Sequence, residues 1–271
     1  MLDVPEDRVT YVGHATVLAE LGGARLLTDP LLRSRVGPLR RHVAAPAPGV
    51  ASDLDAVLIS HLHRDHADLP SLRRIDRRTP VLAPPGAREF LAGQGFSDVR
   101  ELALGESSEI GPVTVTAVEA RHEAGHRNVL PVRLFRDIAG KGAPEAIPGA
   151  QAVGFLLEGR GRRVYFAGDT DLFDGMEGFG PLDLALLPVW GWGPTLGPGH
   201  LDPERAARAA ALISPRAVVP IHWGTLYPLG LARLRPEPLR APPREFARRV
   251  RELAPQVEVR VLEPGESTSL A

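Results

Sequence analysis

The chain has 271 residues, 44% hydrophobic and 24% charged, with a formal net charge of −1 at pH 7. That is an ordinary globular composition, long enough for a large core, and its near-neutral charge gives no general attraction to nucleic acid or anionic membrane. Cysteine is absent, which excludes disulfides and thiolate metal sites. Residues 1–7 are acidic and lack the apolar core of a secretory signal, and no run of 18 apolar residues is present to span a membrane. The expectation is a cytoplasmic protein with one domain over 1–271.

In chain order, residues 8–12 and 17–21 read as strands flanking Gly13-His14-Ala15-Thr16. A Gly22-Gly23 pair then leads into a third apolar run over 24–28. Two apolar runs about a Gly-Gly pair signal a hairpin. Asp29-Pro30 ends the pairing, since proline cannot donate to a ladder. Residues 31–51 read as irregular and carry Arg33, Arg35, Arg40, Arg41 and His42. Such a charge run is a solvated loop or, beside a site, an attractor of anions.

Residues 56–59 form a short β-branched apolar run, a buried strand by length and composition. Polarity then switches at once into Ser60-His61-Leu62-His63-Arg64-Asp65-His66, four potential metal ligands within six positions. Imidazole and carboxylate are the donors that borderline metals such as zinc accept. Beyond them the pattern predicts a helix over 69–77, a strand over 81–83, and a helix over 85–92 closed by Gly93 and Gly95. Paired β structure is expected over 99–109 about a turn at Gly105, and a strand over 113–118 with one buried face. That strand runs into Arg121-His122, with His126 a rival four residues later.

Residues 127–151 are rich in Pro and Gly and hold Arg133, Arg136 and Lys141, the composition of a functional lid or a disordered loop. A hairpin over 153–157 and 163–167 ends at Gly168-Asp169-Thr170, where glycine allows close backbone approach beside a strand-end carboxylate. A strand over 182–189 leads to Trp190 and Trp192, expected to wall a site. His200 precedes Asp202-Pro203-Glu204, an N-cap followed by proline at the first helical position. A strand over 217–221 ends at His222. A loop over 224–243 with Tyr227, Arg233, Arg235 and Arg240, a helix over 244–253 and a strand over 257–262 complete the chain.

His61-x-His63-x-Asp65-His66 after an apolar strand resembles the signature of the metallo-β-lactamase-fold hydrolases. The family pattern adds a His, an Asp and a late His, each after a strand, and His122, Asp169 and His222 meet it in order. Gly13-His14-Ala15-Thr16 and Thr28-Asp29-Pro30 are similar to segments of the branch that holds ascorbate-phosphate lactonases and N-acyl-phosphatidylethanolamine phospholipase D. The resemblance implies an α/β fold, a four-layer αβ/βα sandwich with the site at one edge. It implies one divalent ion on His61, His63 and His122, a second on Asp65, His66 and His222, and Asp169 between them. Zinc is foremost, and the donors also accept manganese or iron.

The implied chemistry is hydrolysis of a phosphodiester, phosphoester or lactone by a hydroxide shared between the ions, with Asp65 and His200 as the candidate catalytic side chains. Asp29 reads either as a carboxylate behind a metal histidine or as a turn residue, and His14 as a pocket or a structural histidine. The expected partner is a small, phosphate-bearing molecule, with no nucleic acid and no membrane span. Two alternatives stand beside this reading. A di-iron oxidoreductase of the same fold has Glu where this chain has His63 and carries a flavin domain. Non-catalytic relatives acting as binding modules lose ligands, and none is missing here.

Overall fold

The computed structural model describes residues 6–122, 151–191 and 199–270. Strands β1 (Arg8–Gly13), β2 (Thr16–Leu21) and β3 (Ala24–Thr28) form an antiparallel meander. Gly22 and Gly23, at φ of 60° and 93°, supply its second turn, a left-handed backbone that glycine adopts without steric cost. β4 (Arg35–Val36) and β5 (Leu39–Arg41) pair as a small hairpin, so the stretch expected to be irregular is partly ordered. Its inward residues Val36 and Leu39 bury against Leu31 and Leu226. A cluster that small, completed from the far end of the chain, leaves no periodic trace in the sequence.

β6 (Ala56–Leu58) lies parallel to β3 on one side and to β7 (Val81–Ala83) on the other. Strands covered on both faces read as continuous apolar runs, which is why this one was legible. α1 (Leu69–Leu72) follows β6, and α2 (Arg88–Ala92) leads to β8 (Val99–Glu101). Both helices are shorter than their sequence patterns predict. After α1, Asp76 Oδ1 accepts from Arg78 N at 2.9 Å, a local turn that competes with helix. α2 begins late because Gly86 sits at φ 91°.

The turn at Gly105 is not a hairpin: β8 pairs with β7, whereas β9 (Ser107–Ile110) pairs with β10 (Val113–Glu119) in a second sheet. β11 (Val153–Gly159) and β12 (Arg162–Phe166) continue that sheet antiparallel, and β13 (Leu184–Pro188) and β14 (Ala217–Ile221) continue it in parallel. Between the last two lies α3 (Pro203–Ile213), capped by Asp202, whose side chain accepts from Arg205 N. The stretch 224–243 contains β15 (Leu226–Pro228), paired with β5, and the single turn α4 (Leu231–Leu234). α5 (Ala241–Leu253) starts three residues before the predicted helix, with prolines tolerated in its first turn. The predicted strand over 257–262 reduces to β16 (Glu258–Val259), and an unexpected β17 (Ser267–Ser269) returns to pair with β1.

The two large sheets run in the orders β17-β1-β2-β3-β6-β7-β8 and β16-β14-β13-β12-β11-β10-β9. Val9, Tyr11 and Val17 of the first meet Val115, Phe155 and Phe166 of the second in the main core. α1 and α2 cover the outer face of the first sheet through Leu72 and Leu91, and α3 and α5 cover the second through Ala206, Ala210, Phe246 and Val250. This is the expected four-layer αβ/βα sandwich. In each sheet an antiparallel part changes to a parallel part, at β3/β6 and at β12/β13. Asp29, His61 and Asp169 all follow strands at these two places. No helix among the described residues is long and apolar enough to cross a membrane.

Candidate metal centre

Three imidazole nitrogens converge beyond β6. His61 Nε2 lies 2.9 Å and His122 Nε2 3.1 Å from His63 Nδ1. The outer contacts decide where the protons are. Ser60 Oγ donates its one hydrogen to Asp29 Oδ2 (2.6 Å) and so accepts from His61 Nδ1–H (3.0 Å). His122 Nδ1–H donates to the Gly199 carbonyl at 2.9 Å. A neutral imidazole carries one N–H, so His61 and His122 both turn an Nε2 lone pair toward His63. A hydrogen on His63 Nδ1 can satisfy one of these two lone pairs but not both, whereas a cation among the three nitrogens satisfies all of them. A tetrahedral ion with bonds of about 2.0–2.1 Å keeps its donors roughly 3.3 Å apart, and the triad fits that cage.

A second group lies beside the first. His66 Nδ1–H donates to Asp29 Oδ2 (2.7 Å), and its Nε2 lies 3.2 Å from His222 Nε2 and 3.3 Å from Asp169 Oδ2. Asp169 Oδ1 is 3.3 Å from His222 Nε2, and Asp65 Oδ2 is 3.8 Å from His66 Nε2. Donor atoms of Asp65, His66, His222 and His14 all lie within 4.8 Å of one another, as do those of His122, Asp169 and His200. Asp169 therefore reaches both groups. Asp29, His61 and His66 also cluster, but the Asp29 oxygens are engaged from behind: Oδ1 accepts from Ser60 N (2.7 Å), Oδ2 from Ser60 Oγ and His66 Nδ1. One carboxylate thus orients two histidines, His66 directly and His61 through Ser60. Such outer acceptors set the tautomer and aim of a metal histidine.

The loops are held as closely as the rings. Gly168 has φ 60°, and a Cβ there would sit 2.7 Å from Ser60 Cβ, so only glycine lets the end of β12 close on the β6 loop. Thr170 Oγ1 accepts from Arg121 N (2.9 Å), and Asp171 N donates to Arg121 O (2.7 Å). Asp171 Oδ2 accepts from Gly199 N (3.2 Å) and the carboxylate pairs with Arg205, which sets the carbonyl that receives His122. Ser60 and Gly199 escaped the sequence reading because neither has ligand chemistry, and Asp171 because its role is to hold Gly199 and Arg205, which lie 28 and 34 positions away. Only the position of Ser60, beside His61, was a signal.

Burial, with the neighbouring imidazoles, holds His61 well below the ordinary histidine range and lowers His63. Burial likewise lowers His122 to about 4 and His222 to about 3. His66 goes the other way. Burial opposes its proton, but Asp169, Asp65 and Asp29 around it raise it well above 6.5. Asp65 and Asp169 resist protonation: burial pushes them up, and the surrounding histidines more than offset it, leaving both well below 3.8. At neutral pH His61, His63, His122 and His222 are neutral, Asp65 and Asp169 are anionic, and a second proton on His66 stands where a cation would be attracted.

All seven residues read as ligands are therefore brought together, and Asp29 lies behind them. His200 also faces the site, its Nε2 3.6 Å from Asp169 Oδ2 and its ring edge-on to His122 at 4.7 Å. The rim arginines fare differently. Arg41 is 6% exposed and donates to the carbonyls of Leu31, Val12, Arg33 and Ala44. It is a clamp between loops and not an attractor of anions, because its guanidinium points inward. Arg33 is taken up by Asp68, the cap of α1. Trp190 is buried with its ring 5.8 Å from Tyr227, so it packs inside the fold. Trp192, His126, Arg133, Arg136 and Lys141 lie outside the described residues.

Residues 24–223 match the family model of the β-lactamase superfamily domain. Over 266 residues the chain is 35% identical to a UPF0173 metal-dependent hydrolase of Methanopyrus kandleri, covering 96% of this chain and 98% of that protein. It is 31% identical over 256 residues to an N-acyl-phosphatidylethanolamine-hydrolyzing phospholipase D of Caenorhabditis elegans, covering 84% and 67%. Among solved structures, the metallo-hydrolase Igni18 of Ignicoccus hospitalis superposes with a TM-score of 0.68 at 25% identity, covering 97% and 98%.

Proposed function

The chain belongs to the metallo-β-lactamase-fold superfamily of metal-dependent hydrolases, and from that premise we propose that residues 1–271 act as one binuclear hydrolase of a phosphodiester, phosphoester or lactone. The observation that carries the reading is Asp169, whose two oxygens each lie 3.3 Å from a ligand nitrogen and whose reach extends to His122. When bound, a pair of divalent ions, zinc foremost, lowers the pKa of water toward neutrality and offsets negative charge on the attacked group. In this reading His61, His63 and His122 hold one ion, Asp65, His66 and His222 the other, and Asp169 both. His200, beside Asp169 and partly open to solvent, delivers a proton from Nε2 to the leaving oxygen. A phosphodiester is favoured over a lactone by the likeness to the phospholipase D, whose name states that it hydrolyses such a lipid.

Elemental analysis paired with turnover of bis-p-nitrophenyl phosphate tests the reading. About two ions per chain and hydrolysis abolished by chelator support it. A chain that stays metal-free and inactive with zinc or manganese supplied overturns it.

Metal uptake should also depend on pH, and unequally. A proton on His66 must be displaced by the second ion, and that competition grows as pH falls below the raised His66 value. His61, His63 and His122, all lowered, are neutral near neutrality and have no second proton to displace. Equilibrium dialysis from about pH 8 down to about pH 6 should therefore strip the second ion first. Loss of both ions in parallel would count against the assignment.

Arg235, exposed on the segment after α4 and electrostatically coupled to Tyr227, is proposed to attract a phosphate-bearing substrate. Arg235→Ala should raise KM for such a substrate more than it lowers kcat. Unchanged constants would return the residue to the solvated surface.

A further inference from the structure

We propose that His14 is the positioning residue of the second metal site, fixing two of its four ligands, Asp65 and His222; the inference rests on the binuclear reading above. His14 is 1% exposed and occupies the left-handed region at φ 59°, a conformation uncommon for a residue with a side chain and worth a functional question when observed. It is locked there from both sides. Gly13 before it lies at φ 123°, where a Cβ would meet Thr225 Oγ1 at 2.9 Å. His14 N donates to Thr225 Oγ1 (2.7 Å), and His14 O accepts from His222 N (2.8 Å). The β1–β2 turn of the first sheet is thereby tied to the end of β14 in the second.

This locked backbone aims the imidazole at two ligands. Nε2 lies 2.9 Å from Asp65 Oδ2, and an ionised carboxylate is an acceptor only, so His14 donates. The bond determines which face of the Asp65 carboxylate turns toward His66 and His222. The His14 ring also packs on the His222 ring, centroids 3.8 Å apart and planes tilted by 40°. His222 needs that contact more than His61, His66 and His122 do. His61, His66 and His122 each have their second ring nitrogen anchored by Ser60, Asp29 or Gly199. His222 Nδ1 has no hydrogen-bond partner among the described residues. Its aim comes from the His14 ring, from the His14 carbonyl on its own N–H, and from its own left-handed backbone at φ 64°. Among the described residues, no hydrogen bond or ring contact joins His14 to His61, His63 or His122.

The inference predicts an effect confined to one site. Zn²⁺ binding would be measured by equilibrium dialysis with elemental analysis, and Co²⁺ binding by visible absorption, on the full chain and on His14→Ala and His14→Gln. Wild type should take up two equivalents. His14→Ala should bind the first as before and the second about 10–100-fold more weakly, the usual size of an outer-contact loss. The Co²⁺ spectrum of the second equivalent should change while that of the first does not. His14→Gln, which keeps an N–H donor at similar reach, should recover much of the second-site affinity. Unchanged second-site binding in His14→Ala overturns the proposal. So does equal weakening at both sites with a lower melting temperature of the metal-free chain, since that is a structural role. A Gln variant no better than Ala overturns the hydrogen bond to Asp65 as the cause. A wild-type chain that takes up one ion overturns the binuclear reading instead, before any variant is compared.

Discussion

Replacing Asp169 by asparagine should lower turnover by about 10³-fold or more while leaving the fold intact. Lost metal-ion stabilisation of developing charge amounts to several kcal/mol, at about 1.4 kcal/mol per factor of ten. Asp169 follows β12 on a glycine that no other residue can replace, and its oxygens stand 3.3 Å from His66 Nε2 and His222 Nε2. Asparagine keeps the shape but is neutral and offers one acceptor oxygen in place of two, so it holds the ions more weakly. The substitution also removes the first of the carboxylates that raise the His66 proton. Metal content of the purified variant and its rate on a phosphodiester would be measured together. Full activity with two ions bound would show that the bridge has been misplaced. His61→Ala should be comparably damaging through the other ion.

Removal of Asp29 should be the most damaging change outside the ligand set. Asp29→Ala leaves three donors without an acceptor: Ser60 N, Ser60 Oγ and His66 Nδ1. Asp29, Ser60 and His66 are fully buried, and each unmet donor there costs about 1–3 kcal/mol. Freed of Asp29, Ser60 no longer forces the tautomer of His61, and His66 loses its anchor, so both ions are affected. Metal affinity and activity should each fall about 10–100-fold, with a lower melting temperature. Asp29→Asn should rescue little, because its NH2 group would face either the backbone N–H of Ser60 or the Nδ1–H of His66, whichever oxygen position it takes. Zinc affinity unchanged beside a lowered melting temperature would reduce Asp29 to a strand-end turn residue.

The two variants differ in what they report. Asp169 is legible in the sequence because a carboxylate after Gly at the end of an apolar run is a local pattern. The double duty of Asp29 is not legible, since it depends on Ser60 and His66, 31 and 37 positions away.

What the sequence determined by itself is chemistry and local conformation. An apolar run that ends abruptly in His61-Leu62-His63-Arg64-Asp65-His66 needs no partner to be read. Burial on both faces makes β6 uniformly apolar, and a metal cage needs these side-chain types whatever lies around them. The same holds for His122, Asp169 and His222, each at the end of a strand. The tertiary structure decided the pairings and the aim. It sent the turn at Gly105 from one sheet to the other and returned β17 to β1, where Thr10 and Ser267 meet across 257 positions. It turned Arg41 inward onto carbonyls and His14 onto Asp65. The physical reason is common to these cases. A ligand's identity resides in its own side chain, whereas a ring's tautomer, a guanidinium's direction and a strand's partner are set by contacts between distant segments, which leave no periodicity in either one.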